Sequence, residues 1–233
     1  MIARARVLSS RRLTPTTHGI RLEKPRGFAF RPVQYVGLEI ATRDGSEEYP
    51  MSLASSPTRD YLEFGARISP SPWKEGFRAL SPGDEVEVDG PYGRFVLDES
   101  RDAVFVARGI GVTPLKGMAE YVADTQWSHD AVLVFSNQRE EEIVYREELD
   151  ALVRTNSRFR VLHTLTQEPD GSAWSGRRGR LDPTLLAEAG KSLRDPTWYV
   201  CGSPRMVHSV VGMLYGLGVP ETRIDYEAFF GYA

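Results

Sequence analysis

Three short stretches carry residue types able to hold an anion or a planar ring. FVARGIGVTPLKGM (105–118) brings an apolar run up to Gly109 and Gly111, turns through Val112, Thr113 and Pro114, and leaves as a helix. Glycines at a strand end let the backbone approach a pyrophosphate, and a helix start offers that anion unpaired N–H groups and a positive dipole end. Pro114 suits the first turn, where its missing N–H costs nothing. The same residues also describe a tight turn with no ligand. YVCGSPRMV (199–207) repeats the pattern, with Cys201, Gly202 and Ser203 at a second strand-to-helix corner. A cysteine standing alone in such a strand is otherwise a small core hydrophobe. In YPMSLASSP (49–57), Ser52 can donate to a ring nitrogen while the strand lies flat along a planar ligand; small hydroxyl residues also serve as filler on a solvent face.

The elements that must position these stretches change character partway along the chain. From Ala3 to about Leu97, short β-like runs such as QYVGLEI (34–40), YLEFGARI (61–68) and DEVEVDG (84–90) alternate with Gly, Pro, Ser and Asp, which predicts a small antiparallel barrel or sandwich. WKEGFRAL (73–80) places Trp73, Phe77 and Leu80 at helical spacing and predicts a short helix against it. Beyond 98–102 the rhythm becomes strand-helix-strand. AVFVA (103–107), AVLVFS (131–136), RFRVLHTLT (158–166), TWYVCG (197–202) and RIDYEAFF (223–230) read as five strands. Helices are expected from Pro114, over 141–153, over 182–190 and over 206–218. Strands apolar throughout and joined by helices predict a parallel sheet buried on both faces. The expected organisation is an antiparallel domain over 1–99 followed by an α/β domain over 100–233.

Composition narrows the chemistry. The chain has 233 residues, 41% apolar and 26% charged, with a net charge of -3, so no basic excess points to nucleic acid. Apolar runs are too short to cross a membrane and the N-terminus lacks a secretory core, from which a cytoplasmic location is expected. Cys201 is the single cysteine, which excludes an internal disulfide and a cysteine-ligated cluster, and the four histidines show no metal-ligand spacing. His163 reads as structural.

Taken in order, FRPVQYV, YPMSLASSP, PGDEVEVDGPYGRF, VARGIGVTPLKGM, VYREEL, YVCGSPRMV and YEAFFGY resemble the ferredoxin reductase-like flavoprotein family over nearly the whole chain. The resemblance implies a Greek-key flavin-binding barrel followed by a parallel five-stranded α/β domain for NADH or NADPH, with FAD as the flavin. It implies an enzyme that takes hydride from the nucleotide and passes electrons to a ferredoxin, a flavodoxin, an oxygenase component or a small acceptor. Two alternatives stay open: a binding module without turnover, and an electron-transfer subunit of a larger complex. The family's flavin strand falls on Tyr49, Pro50, Met51 and Ser52, with Ala66, Arg67 and Ile68 on a second strand. Gly109, Gly111, Val112, Thr113 and Pro114 match the nucleotide loop. Cys201 and Gly202, with Ser203 and Met206 beyond them, match the corner that flanks the nicotinamide. Glu227 and Phe229 match the acidic and aromatic residues beside the flavin. Ser52, Cys201 and Glu227 are the implied catalytic residues.

The chain departs from the family at four places. Tyr49 stands where the family has an arginine for the flavin pyrophosphate, Met51 where it has a tyrosine, Arg108 in place of the first loop glycine, and Val33 where glycine is common. Lys74, in the first turn of the barrel helix, and Arg67 are the substitute cations expected to hold the phosphates. For the nucleotide, Gln167 and Glu168 after Thr166 favour NADH, because a carboxylate there repels a 2′-phosphate. Arg139, Arg177 and Arg178 are the competing cations.

Overall fold

The structure, a computed structural model, describes residues 1–229. Period-two alternation builds the first half: in β1 (Ile2–Thr14), Ala5 and Val7 are buried while Arg4 and Arg6 face solvent. With β2 (Thr17–Glu23), β3 (Tyr35–Thr42), β4 (Gly45–Ser52), β5 (Tyr61–Arg67) and β6 (Glu85–Tyr92) it forms a curled antiparallel sheet of order β4-β3-β6-β1-β2-β5. A backbone hydrogen bond from Ala54 N–H to Glu63 O (2.8 Å) draws the run-out of β4 onto the far edge, half closing the barrel.

The expected barrel helix is present as α1 (Pro72–Ala79). Ser71 caps it by accepting from Lys74 N–H, and Pro72 opens its first turn. Trp73 and Phe77 are buried against the sheet, and Trp73 Nε1 donates to Leu38 O (3.2 Å). A Cβ on Gly76 would stand 2.9 Å from Ala41 O, so only glycine lets the helix lie this close to β3.

In the second half, β7 (Ala103–Arg108), β8 (Ala131–Asn137), β9 (Phe159–Leu165), β10 (Arg177–Arg178), β11 (Thr197–Gly202) and β12 (Ile224–Ala228) form a parallel sheet of order β10-β9-β8-β7-β11-β12. Five of these are the strands expected from sequence; β10 adds a two-residue edge on β9, too short to leave a pattern. Phe105 and Leu133 pack under α2 (Thr113–Asp124) and α3 (Arg146–Thr155), while Val104 and Val132 pack under α4 (Pro183–Gly190) and α5 (Pro204–Gly216). Helices on both faces explain strands with no polar side. The pattern of the last strand extends to 230; that final residue and the GYA after it lie outside the described residues.

One helix is shorter than expected. The pattern over 141–153 predicts a continuous helix, but α3 begins at Arg146, after a 3-10 turn at Glu140–Glu142 and a left-handed Tyr145 (φ +58°). Ile143 takes an extended backbone (φ −72°, ψ 101°), and with the left-handed Tyr145 it breaks the helical path before α3, while Ile143, Val144 and Tyr145 are all buried in the core. Val33 also keeps a left-handed conformation (φ +83°) with its side chain buried beside Ala54 under α2. The backbone thus retains the conformation that glycine commonly serves, despite the β-branched side chain.

Candidate functional site

The strand order reverses between β7 and β11, and their C-terminal ends carry the two glycine corners. A crevice for a ligand is expected at such a point. Gly109 takes φ +52° and has nothing within 4 Å where a Cβ would stand, so it supplies both the left-handed turn and open space. Gly111 meets a different demand, since a Cβ there would come within 2.7 Å of Cys201 O and 2.9 Å of Gly202 Cα. The glycine pair therefore lets one corner turn and lets the two corners touch. Thr113 Oγ1 donates to Ile110 O (2.6 Å) and closes the loop onto α2, while Val112 and Pro114 are buried beneath it. Ser71 and Asp182 cap α1 and α4 through their side chains; α2 and α5, which start at the corners, have no side-chain cap.

A cleft of about 310 Å³ runs between the barrel and these corners. Tyr49, Pro50, Met51 and Ser52 form its barrel wall, and Thr113, Glu227 and Phe229 its other side. The Tyr49 ring packs against Trp73, tilted by 35° with centroids 5.1 Å apart, and Met51 is buried in the barrel core, so the two substituted positions furnish wall and floor. Glu227 lies opposite Cys201 in the β11–β12 register, and its Oε2 is buried with no hydrogen-bond partner. Burial first, and Asp225 second, push its carboxyl up to about 7. Cys201 is fully buried; burial, with Glu227 adding to it, pushes its thiol well above the usual range.

A second cleft, of about 150 Å³, shares Ile110 and Phe229 with the first and continues past Arg67, Arg108, Gly109, Gly202 and Ser203. Asn137, at the end of β8, lines it with both amide atoms buried and unpartnered. Beyond Arg108 and Ser203 opens a groove of about 500 Å³ lined by Thr166, Gln167, Arg180, Arg205 and Met206. Phe229 N–H donates to Gly202 O (2.9 Å), holding the chain end against the second corner.

Of the cations expected to replace the missing arginine, Arg67 lines the second cleft. Lys74 does not line the first; it is 8% exposed and its ammonium donates to Ser69 Oγ (3.0 Å). Burial, then Arg67, lowers its pKa. Ala66 lies in the barrel core and Ile68 packs against it, so these two support the cleft from behind. The residues expected to bear on nucleotide choice are also redistributed. Gln167 lines the groove, but Glu168 turns away and accepts from Glu140 N–H (2.8 Å). Arg177 pairs with Asp182, Arg178 donates to Trp174 O (2.9 Å), and Arg139 lies 3.9 Å from Glu141. Arg180 and Arg205, which no sequence pattern singles out, are the groove cations together with Arg108. No ion pair ties these three to a carboxylate among the described residues.

A buried ionic cluster, equally without a sequence signal, stands where α2 meets the barrel. Lys116, fully buried, pairs with Glu63 of β5 and with Glu120 (2.8 Å); Glu63 also takes Arg21 (3.0 Å). Burial alone would lower the Lys116 pKa, but Glu63 and Glu120 more than reverse it and hold it raised. Isolated charged letters in an amphipathic helix read as solvent-facing, and only the packing of the barrel onto α2 buries them.

The residues present fit a flavin ring and a dinucleotide. The first cleft has the size of a ligand site, its wall carries an orphaned carboxylate oxygen, and the second cleft carries an orphaned amide beside a glycine with no neighbour. Among the described residues no group of His, Cys, Asp or Glu could hold a metal ion, and no helix is long and apolar enough to cross a membrane.

Comparison with known proteins bears on the family and the fold. Residues 105–212 match the family model of the oxidoreductase NAD-binding domain. The chain is 32% identical to ferredoxin–NADP reductase B of Sorangium cellulosum, over 97% of this chain and 96% of that protein. It is 30% identical to the reductase subunit of glycine betaine monooxygenase of Pseudomonas aeruginosa, covering 89% of this chain and 58% of that longer one. Among solved structures, a ferredoxin NADP+ reductase of Neisseria gonorrhoeae with bound FAD and NADP superposes with a TM-score of 0.83 at 22% identity, over 98% and 99% of the two chains.

Proposed function

This chain belongs to the ferredoxin–NAD(P) reductase-like family of flavoproteins, oxidoreductases that move electrons between NAD(P)H and FAD, and on that premise we propose which residues do so here and for whom. The observation that carries the assignment is the pair of clefts sharing Ile110 and Phe229: a ring held on the barrel side and a nicotinamide entering from the sheet side meet at those two residues. Bound there, FAD would supply a ring that accepts hydride from the nucleotide and releases electrons singly or in pairs.

The protein's own part is placement and proton control. β4 presents Pro50 and Ser52 to the cleft, where they would lie against a bound ring with the Ser52 hydroxyl available as a donor. Gly109, Ser203 and the starts of α2 and α5, which lack side-chain caps, would hold the nucleotide pyrophosphate, with Arg108 as its cation. Asn137 offers both an N–H donor and a carbonyl acceptor to the nicotinamide half. Glu227 holds or gives up a proton at Oε2 near neutral pH. Cys201 acts through its backbone, which brackets Gly111, and not as a nucleophile. Phe229 lines both clefts where they meet, so a nicotinamide reaching the flavin would have to pass or displace its ring.

The groove favours NADPH. Arg180 follows Gly179, whose N–H donates to Leu165 O (2.8 Å), so it stands beside Thr166 and Gln167, where a 2′-phosphate would sit, and the Glu168 carboxylate on which an NADH preference would rest is turned away. The acceptor is a ferredoxin or an oxygenase component, as in the relatives named for such partners, or a flavodoxin, and the enzyme works in the cytoplasm. The division between flavin and nucleotide domains falls at 99/100.

The deciding experiment is the absorption spectrum of the purified protein before and after anaerobic NADPH or NADH, with chromatography of the acid-released flavin. A yellow protein that yields FAD and is bleached by a nucleotide supports the assignment. A colourless protein, or one that neither nucleotide bleaches, overturns it.

A further inference from the structure

Lys116 stands three residues after Thr113 in α2, and Glu63 two residues before Gly65 in β5; Thr113 and Gly65 both line the cleft between the two sheets. The ion pair between them joins the barrel to the α/β half. Both side chains are essentially inaccessible, at 0% and 1% exposure. Around the pair, Glu120 accepts from Ser56 N–H (2.9 Å), and Arg11 lies 3.6 Å from Glu63. The Tyr145 ring covers the Lys116 ammonium at 5.1 Å, and a Cβ on Gly65 would meet the Tyr145 hydroxyl at 2.6 Å. Stability alone does not explain such a cluster, because desolvating two charges offsets most of their attraction and apolar side chains of equal volume would join the halves at least as well. An ion pair adds direction. Apolar surfaces can slide by a fraction of an ångström at little cost, whereas a buried ammonium displaced from its carboxylates is left unpaired.

We propose that Lys116 and Glu63 are positioning residues that fix the width of the flavin cleft between its barrel wall at Gly65 and its α/β wall at Thr113, and with it how closely a flavin held there is met by a nicotinamide entering at Ile110 and Phe229. The inference rests on the function proposed above. Hydride transfer is steep in distance, so an error of about 1 Å can cost about a hundredfold in rate while leaving binding nearly intact. The pair thus acts on the chemical step and not on affinity.

The test compares the holoprotein with Lys116→Met and with Arg21→Gln. Lys116→Met keeps the stem and leaves Glu63 paired with Arg21 and Glu120 bonded to Ser56. Arg21→Gln removes a partner of Glu63 that lies within the barrel sheet. Anaerobic stopped-flow bleaching by NADPH should slow about tenfold or more in Lys116→Met, with nucleotide Kd changed less than about threefold, and stay within about twofold in Arg21→Gln. Amide hydrogen exchange over 109–113 should quicken in Lys116→Met alone. Where Lys116→Met gives no soluble holoprotein, Glu63→Gln, which leaves Lys116 with Glu120, carries the same expectations. A bleaching rate within about twofold of wild type and unchanged exchange overturn the proposal. So does exchange that rises equally over both sheets, which marks general destabilisation. If the wild type is not bleached at all, the proposed function fails, while the exchange comparison still decides the positioning role.

Discussion

Glu227 and Cys201 face each other across adjacent strands, and burial acts on both in the same sense, toward the neutral form. For Glu227 the consequence is a dependence of stability on pH. Its carboxyl is raised from 4.5 to about 7, so the native protein binds the proton more tightly than the unfolded chain does. The favourable contribution is complete below the unfolded pKa and is lost as pH rises through about 7. The loss is at most about 3 kcal/mol, or about 6–12 °C in Tm for a chain of this size. Melting curves of the flavin-free protein should show wild type losing Tm between about pH 5 and 8 relative to Glu227→Gln, whose amide does not titrate. Parallel curves would remove Glu227 as the proton-holding group. Cys201 gives a complementary test, since a buried thiol held neutral cannot attack. Ellman's reagent at about pH 8 should leave the native thiol unlabelled and react with one thiol per chain in guanidinium. Rapid native labelling would show that the corner opens.

Elements divide between those whose causes are local and those whose causes are tertiary. The strands flanking the site, the barrel helix and the two glycine corners are legible in the sequence because period-two and period-3.6 patterns and glycine at strand ends have local physical causes. The start of α3 is not, because Ile143 to Tyr145 fit a helical pattern and are drawn inward only by the core around them. The cations are not legible either: Arg67, Lys74, Arg177 and Arg180 look alike as letters, and their assignment depends on which is already satisfied by Ser69 or Asp182. The corners also show one residue type meeting two demands. Gly109→Ala should cost about 1–2 kcal/mol for its left-handed backbone, with flavin retained. Gly111→Ala should cost more, because its Cβ meets the backbone of Cys201 and Gly202, and should abolish nucleotide binding by parting the two corners. Thermal melts and NADPH titrations of the two variants check this; equal effects would mean that the corners are not in obligatory contact.

Across the whole molecule, the clefts and the groove form one path from Glu227 and Ser52, past Arg108 and Ser203, to Arg180. A net charge of -3 gives no general attraction for an anionic nucleotide, so recognition depends on the local cations of this path. Arg108 and Arg205 stand near the starts of α2 and α5, where a pyrophosphate common to both nucleotides would lie. On the function proposed above, Arg180, beside Gln167, would be the residue that tells a 2′-phosphate from a 2′-hydroxyl. The expected result is a kcat/KM for NADPH about tenfold or more above that for NADH, with an artificial acceptor at fixed ionic strength, since exposed guanidinium contacts are screened by salt. Arg180→Ala should erase that ratio, about 1.4 kcal/mol, while changing the NADH value less than about twofold. Arg205→Ala should lower both values together. A wild-type preference for NADH, or an Arg180→Ala effect equal for the two nucleotides, would return discrimination to Gln167 and the loop that carries Glu168, with the groove cations serving the pyrophosphate alone.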